Sequence, residues 1–79
     1  MVADDIEYRM MQFASENHGL FKNSSFNYLA DAPRTWRERD LILQRMVDMG
    51  FFDKRREEGH KVYYYYLTMK GYNALDGML

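Results

Sequence analysis

Seventy-nine residues make one small domain, 1–79, which buries only about 60% of the surface its unfolded chain exposes and so rests on a thin core. The chain is 47% hydrophobic, with one Trp, seven Tyr and five Phe to fill that core, and its lack of cysteine excludes a disulfide framework or thiolate metal site and fits a reducing cytoplasm. Eleven basic against twelve acidic residues, a net charge of −1, argue against a general nucleic-acid glue or a membrane-surface binder, but not against a local basic face.

The first segment, Asp4 to about Asn17, reads as a helix, because Ile6, Met10, Phe13 and Ala14 make one apolar stripe of 3.6-residue period. Asp4, Asp5 and Glu7 occupy its first turn, where the helix dipole favours negative charge. The same acidic start lacks the basic region of a signal peptide, and no run approaches the ~20 apolar residues of a membrane span. Gly19 suits the C-terminal cap, and Leu20-Phe21 make a brief extended piece. Ser24 or Ser25 is expected to cap a short second helix that turns Phe26, Leu29 and Ala30 inward. Asp31-Ala32-Pro33 stops it, since a residue before proline is pushed out of helical geometry.

Thr35-Trp36-Arg37-Glu38 is a capping box, and a third helix runs from Trp36 to about Met49, ended by Gly50. Phe51 to Arg56 and Lys61 to Leu67 are strand-like runs around the turn Glu57-Glu58-Gly59-His60. Thr68 then caps a last helix carrying Tyr72, Ala74, Leu75 and Leu79. The expected fold is α+β: three helices, a two-stranded hairpin with room for a short third strand, and a C-terminal helix.

Two helices joined by a tight turn, the second longer and followed at once by a hairpin, resemble the winged helix-turn-helix arrangement. Met46-Val47-Asp48-Met49-Gly50-Phe51-Phe52 resembles the end of a recognition helix and its passage into the wing. Tyr66-Leu67-Thr68-Met69-Lys70-Gly71-Tyr72 is similar to the Leu-Thr-x-Lys-Gly passage from wing to following helix in MarR-type and PadR-type transcription regulators. The likeness covers about residues 24–75. It implies a small prokaryotic or viral regulator that binds double-stranded DNA, commonly as a homodimer on a palindrome. The extra helices those regulators use for dimerisation have no counterpart in the few residues after Leu75.

Helical geometry sorts the third helix without any family knowledge. Trp36, Arg39, Ile42, Leu43, Met46 and Met49 cluster on one side, the expected core face. Arg39 is the misfit there, read as a stem packed under Trp36 with its guanidinium reaching solvent or an acid. Arg37, Leu41, Gln44, Arg45 and Asp48 form the other side, with Arg34 just before it. Arg and Gln can fork onto guanine and adenine, Leu41 can meet a thymine methyl, and Thr35 with the first-turn amides can hold a phosphate. A plain solvated helix face would also be polar.

The hairpin adds Lys54, Arg55, Arg56 and Lys61, with His60 at the tip, as candidates for phosphate contact, although Glu57 and Glu58 oppose them and basic residues also protect sheet edges. Tyr63, Tyr65 and Leu67 share one strand face; Val62, Tyr64 and Tyr66 share the other, which is expected to be partly covered by the first helix or another subunit. No enzyme is expected: His18 and His60 stand alone, with no nucleophile setting, phosphate loop or metal-ligand spacing, and no cofactor is implied. Seven methionines read as gap-filling core. The charge is unevenly spread, since residues 1–31 balance to −3 while residues 34–61, with eight basic and six acidic groups, balance to +2. The rival reading is a winged-helix module that docks on polymerase or another regulator, without binding DNA itself. The near-zero charge, Leu41 and the spare tyrosine face favour it.

Overall fold

The computed structural model describes residues 5–78. The first apolar stripe forms α1 (Asp5–Glu16). Met10, Met11, Ala14 and the carboxylate-bearing Glu7 are buried along it, with Ile6 and Phe13 half-buried. The backbone turns left-handed at His18 and Gly19, and the Gly19 N–H returns to the Ala14 carbonyl at 2.6 Å, closing the helix as a glycine cap does.

After β1 (Leu20–Phe21) the chain departs from expectation. The short second helix is of 3₁₀ type, Asn23–Tyr28, and begins before either expected cap. Neither serine is its N-cap; the Ser25 hydroxyl accepts the Lys22 N–H at 3.1 Å. Asn and Ser side chains compete for nearby backbone groups in this way, which favours short turns over a regular helix. Phe26 is buried and Leu29 half-buried, but Ala30 is exposed, because Leu29 is already extended and no helical turn remains to carry Ala30 inward. Asp31, at φ 61°, completes the break before Pro33.

α2 (Trp36–Asp48) opens where Thr35 Oγ1 accepts the Glu38 N–H at 3.2 Å. It closes at Gly50, where φ is 84° and the Phe51 N–H reaches the Met46 carbonyl at 3.0 Å. Leu43 and Met46 are wholly buried, while Ile42 and Met49 are half-buried. Trp36 is not in the core: it is 56% exposed. Helical side chains lean toward the N-terminus, so a first-turn residue projects past the last buried layer even when its angle points inward. Arg39, with a guanidinium expected to reach solvent or an acid, meets neutral acceptors and a ring. Its Nε donates to the Pro33 carbonyl at 2.7 Å, its Nη1 to Asn27 Oδ1 at 3.0 Å, and its guanidinium lies 5.6 Å from the Phe26 ring centroid. Arg39 is thus a clamp that ties the 3₁₀ helix and the following loop to α2.

β2 (Phe52–Arg55) and β3 (Tyr64–Leu67) complete an antiparallel sheet in the order β1-β3-β2, with Leu20 opposite Tyr66, Phe52 opposite Leu67 and Arg55 opposite Tyr64. Arg56 and Lys61 to Tyr63 fall outside the ladder. The turn Glu57-Glu58-Gly59-His60 closes with the His60 N–H on the Glu57 carbonyl at 3.0 Å. Gly59 is left-handed at φ 82° but Glu58 is not, so it is not one of the primed two-residue turns whose twist keeps strands paired to the tip.

Thr68 then caps α3 (Met69–Met78), accepting the Gly71 N–H at 3.0 Å and donating to the Gly50 carbonyl at 2.6 Å. Residue 71 must be glycine: a Cβ there would stand 2.4 Å from the Phe51 carbonyl and 2.5 Å from Leu67. Leu75 is buried, Ala74 half-buried and Tyr72 37% exposed; Leu79 lies outside the described residues.

The architecture is α+β, helices packed on one three-stranded antiparallel sheet. Phe21 is the hub of the core, with the rings of Phe26, Phe13 and Phe52 centred 5.2, 5.6 and 6.0 Å away. Met10, Met11 and Met46 fill gaps around it, whereas Met69 is 76% exposed. No helix among the described residues is long and apolar enough to cross a membrane.

Candidate nucleic-acid interface

Alternation along β2 sends Lys54 and Arg55 to opposite faces of the sheet. Lys54 turns toward α2, and between helix and hairpin lies a cleft of about 470 Å³. From α2 it is lined by Arg37, Leu41 and Gln44; from the hairpin by Lys54, Lys61, Val62 and Tyr63. The Lys54 ammonium sits 4.3 Å from the Tyr63 ring centroid and 3.4 Å from Gln44 Oε1, while Gln44 Nε2 donates to Asp48 Oδ1 at 3.0 Å. Among the described residues, Arg37, Lys54 and Lys61 have no carboxylate partner.

The floor of the cleft is polar. Asn23, 5% exposed, donates from Nδ2 to the Trp36 carbonyl at 3.1 Å and to Asp40 Oδ1 at 2.6 Å. Both partners only accept, so the orientation of the amide is fixed, and its buried Oδ1 is left without a donor. Such an orphan costs about 1–3 kcal/mol. Beside it the Tyr65 hydroxyl is pushed up to about 12, chiefly by burial and further by the negative charge of Asp40 and by Tyr63. It therefore stays protonated at neutral pH and can donate.

The cleft gathers Arg37, Leu41, Gln44, Lys54 and Lys61 from the residues that sequence reasoning singled out. Leu41 is 63% exposed, as its place on the outward face requires. Thr35 is spent on capping α2, and Arg34 is exposed just ahead of it. Arg45 points elsewhere: it forms an ion pair with the buried Glu7 of α1 and does not line the cleft. The angle along α2 explains this, because Arg45 lies about 80° round the helix from Arg37, on the side that meets α1. Arg55 is held by Asp53 at 2.8 Å on the far face of the sheet. Arg56 also borders that face, although its guanidinium lies 5.0 Å from the Tyr63 ring centroid. His60 sits at the tip, 3.7 Å from Glu57.

The far face lacks Val62: expected there with Tyr64 and Tyr66, it lines the cleft against α2, because strand alternation does not hold at 61–63, outside the ladder. On the far face Leu20, Tyr64 and Tyr66 border an open cleft of about 640 Å³, and Tyr66 is 43% exposed. Sequence reasoning did not place Trp36, Asn23, Asp40, Tyr63 or Tyr65 at a site. Tyr63 and Tyr65 share a strand face with Leu67, a pattern that signals core, and only the early end of β3 leaves Tyr63 at the mouth of the cleft.

No group of three His, Asp or Glu side chains among the described residues could hold a metal ion. Compared with known proteins, the chain matches no family model, no curated protein sequence and no solved structure.

Proposed function

We propose that the protein is a small transcription regulator of winged helix-turn-helix type that binds double-stranded DNA. α2 enters the major groove and the hairpin, as the wing, follows the backbone or minor groove. One observation carries this reading: Arg37 and Gln44 on α2 share an open cleft with Lys54 and Lys61 of the hairpin, and none of the three cations is neutralised by a carboxylate among the described residues. Arg37 and Gln44 suit base edges; Lys54 and Lys61 suit phosphates. Arg34 and the first-turn amides of α2 extend the same surface toward a phosphate.

The reading is tested by fluorescence anisotropy with random-sequence duplex at about 50 mM salt, followed by a salt series. A footprint of about four to six phosphates gives a slope of log affinity on log salt near −4 to −5. Absence of binding at that salt overturns it in favour of a protein partner, the reading that the exposed Leu41, Trp36 and Val62 support.

A further inference from the structure

The cleft between α2 and the hairpin is walled by more aromatic surface than a phosphate groove needs. Trp36, 56% exposed, lines it with its ring largely in water. The Tyr63 ring is instead covered by Lys54 at 4.3 Å and Arg56 at 5.0 Å and serves to hold those cations at the rim; Tyr65 is a third aromatic in the lining. An aromatic face left in water beside a row of cations is the combination that holds an unstacked base on its ring and the strand's phosphates at the rim. Its volume of about 470 Å³ lies within the ~300–1,000 Å³ of clefts that hold small organic molecules.

The distribution of charge gives the orientation of the occupant. Arg37, Lys54 and Lys61 favour an anion, but Asp40 in the same cleft repels one. A phosphate therefore lies along the cations, and the group turned toward Asp40 must carry hydrogen-bond donors. Asn23 points the same way: it is 95% buried, its amide orientation is fixed, and its Oδ1 lacks a donor. The exocyclic amine of a nucleobase has the needed character, and the protonated Tyr65 hydroxyl can serve an acceptor on the same base edge.

We propose that this cleft holds one unpaired nucleotide of a DNA strand, its base stacked against Trp36 with its amine edge toward Asp40 and Asn23, and its phosphates on Lys54 and Lys61. The inference rests on the reading of this face as a nucleic-acid surface and adds what is recognised there: a base out of the stack, either in a single strand or everted from a duplex. Eversion is least costly where the base is already unpaired, so the protein prefers a duplex that carries a bulged nucleotide over the same duplex fully paired.

Trp36 is the only tryptophan of the chain, so its emission reports stacking directly. Three probes are titrated at about 50 mM salt: a single strand of about ten cytosines, within the ~4–16-nucleotide footprints of stacking proteins, a duplex with one bulged cytosine, and its fully paired counterpart. The expected result is strong quenching of Trp36 by the single strand and by the bulged duplex. The bulged duplex should bind at least tenfold more tightly than the paired one, a difference of about 1.4 kcal/mol. Trp36→Ala should weaken binding of a labelled single strand, read by anisotropy, about tenfold, whereas Trp36→Phe, which keeps a ring, should retain most of it. Equal affinity for both duplexes with unchanged Trp36 emission overturns this inference while leaving the duplex reading intact. If none of the three probes binds, both fall, and a protein partner takes this face.

Discussion

The two faces of the hairpin carry similar numbers of cations, yet among the described residues a carboxylate holds one of them, Arg55, on the far face and none on the face toward α2. Arg55 on the far face is held by Asp53, and Glu57 lies in the same cleft. Lys54, its neighbour in sequence, points the other way and meets aromatic rings and an amide rather than an acid. The local excess of basic residues over the 34–61 stretch therefore understates one surface and overstates the other. What decides the potential at a face is which cations remain unpaired there, and in a strand that follows from the alternation of side chains.

The largest expected effect separates these faces directly. Arg37→Ala combined with Lys54→Ala should weaken duplex binding by about thirtyfold to a hundredfold at low salt, on the order of 2–3 kcal/mol, while Arg55→Ala should change it less than threefold. Anisotropy titrations of both variants measure this, and a comparable loss in Arg55→Ala would erase the distinction. Arg45 gives a second contrast within α2. Its removal strands the buried Glu7, so Arg45→Ala should lower the unfolding free energy by about 1–3 kcal/mol in urea titrations and leave DNA affinity within threefold. A large loss of affinity in a variant of unchanged stability would return Arg45 to the interface.

Trp36 sharpens the boundary between core and cleft. Trp36→Ala should cost less than about 1 kcal/mol of stability, against the ~3–5 kcal/mol typical of a core aromatic. The smallest effect concerns the floor of the cleft. Burial raises the Tyr65 hydroxyl to about 12, so the folded chain holds a proton that the unfolded chain releases near 10. The associated stability is complete below pH about 10 and is lost as pH rises through about 12. Unfolding titrations across that window should show a shallower alkaline decline in Tyr65→Phe than in the parent.

Helix starts and stops were legible in particular residues. Thr35 and Gly50 bound α2, and Gly19 bounds α1, because caps and left-handed turns are local requirements that one residue meets. The outward face of α2 was legible for the same reason: Arg37, Leu41 and Gln44 recur at helical spacing and do reach the cleft. The short second helix was legible but its cap and type were not, because six residues rich in Asn and Ser balance two helical geometries too evenly for pattern to choose.

Its own sequence thus determined the order of elements in this chain, the ends of α1 and α2, and the Arg37-Leu41-Gln44 stripe by which α2 meets solvent, since each depends on backbone preferences and periodicity within a few residues. Tertiary structure alone decided that Arg45 serves Glu7, that Trp36 stands at a cleft instead of in the core, and that Asn23, Asp40 and Tyr65 share a polar floor. Asn23 and Tyr65 are forty-two positions apart, and Arg45 and Glu7 thirty-eight. Contacts between such distant residues depend on how the helices seat against the sheet, which no local pattern encodes.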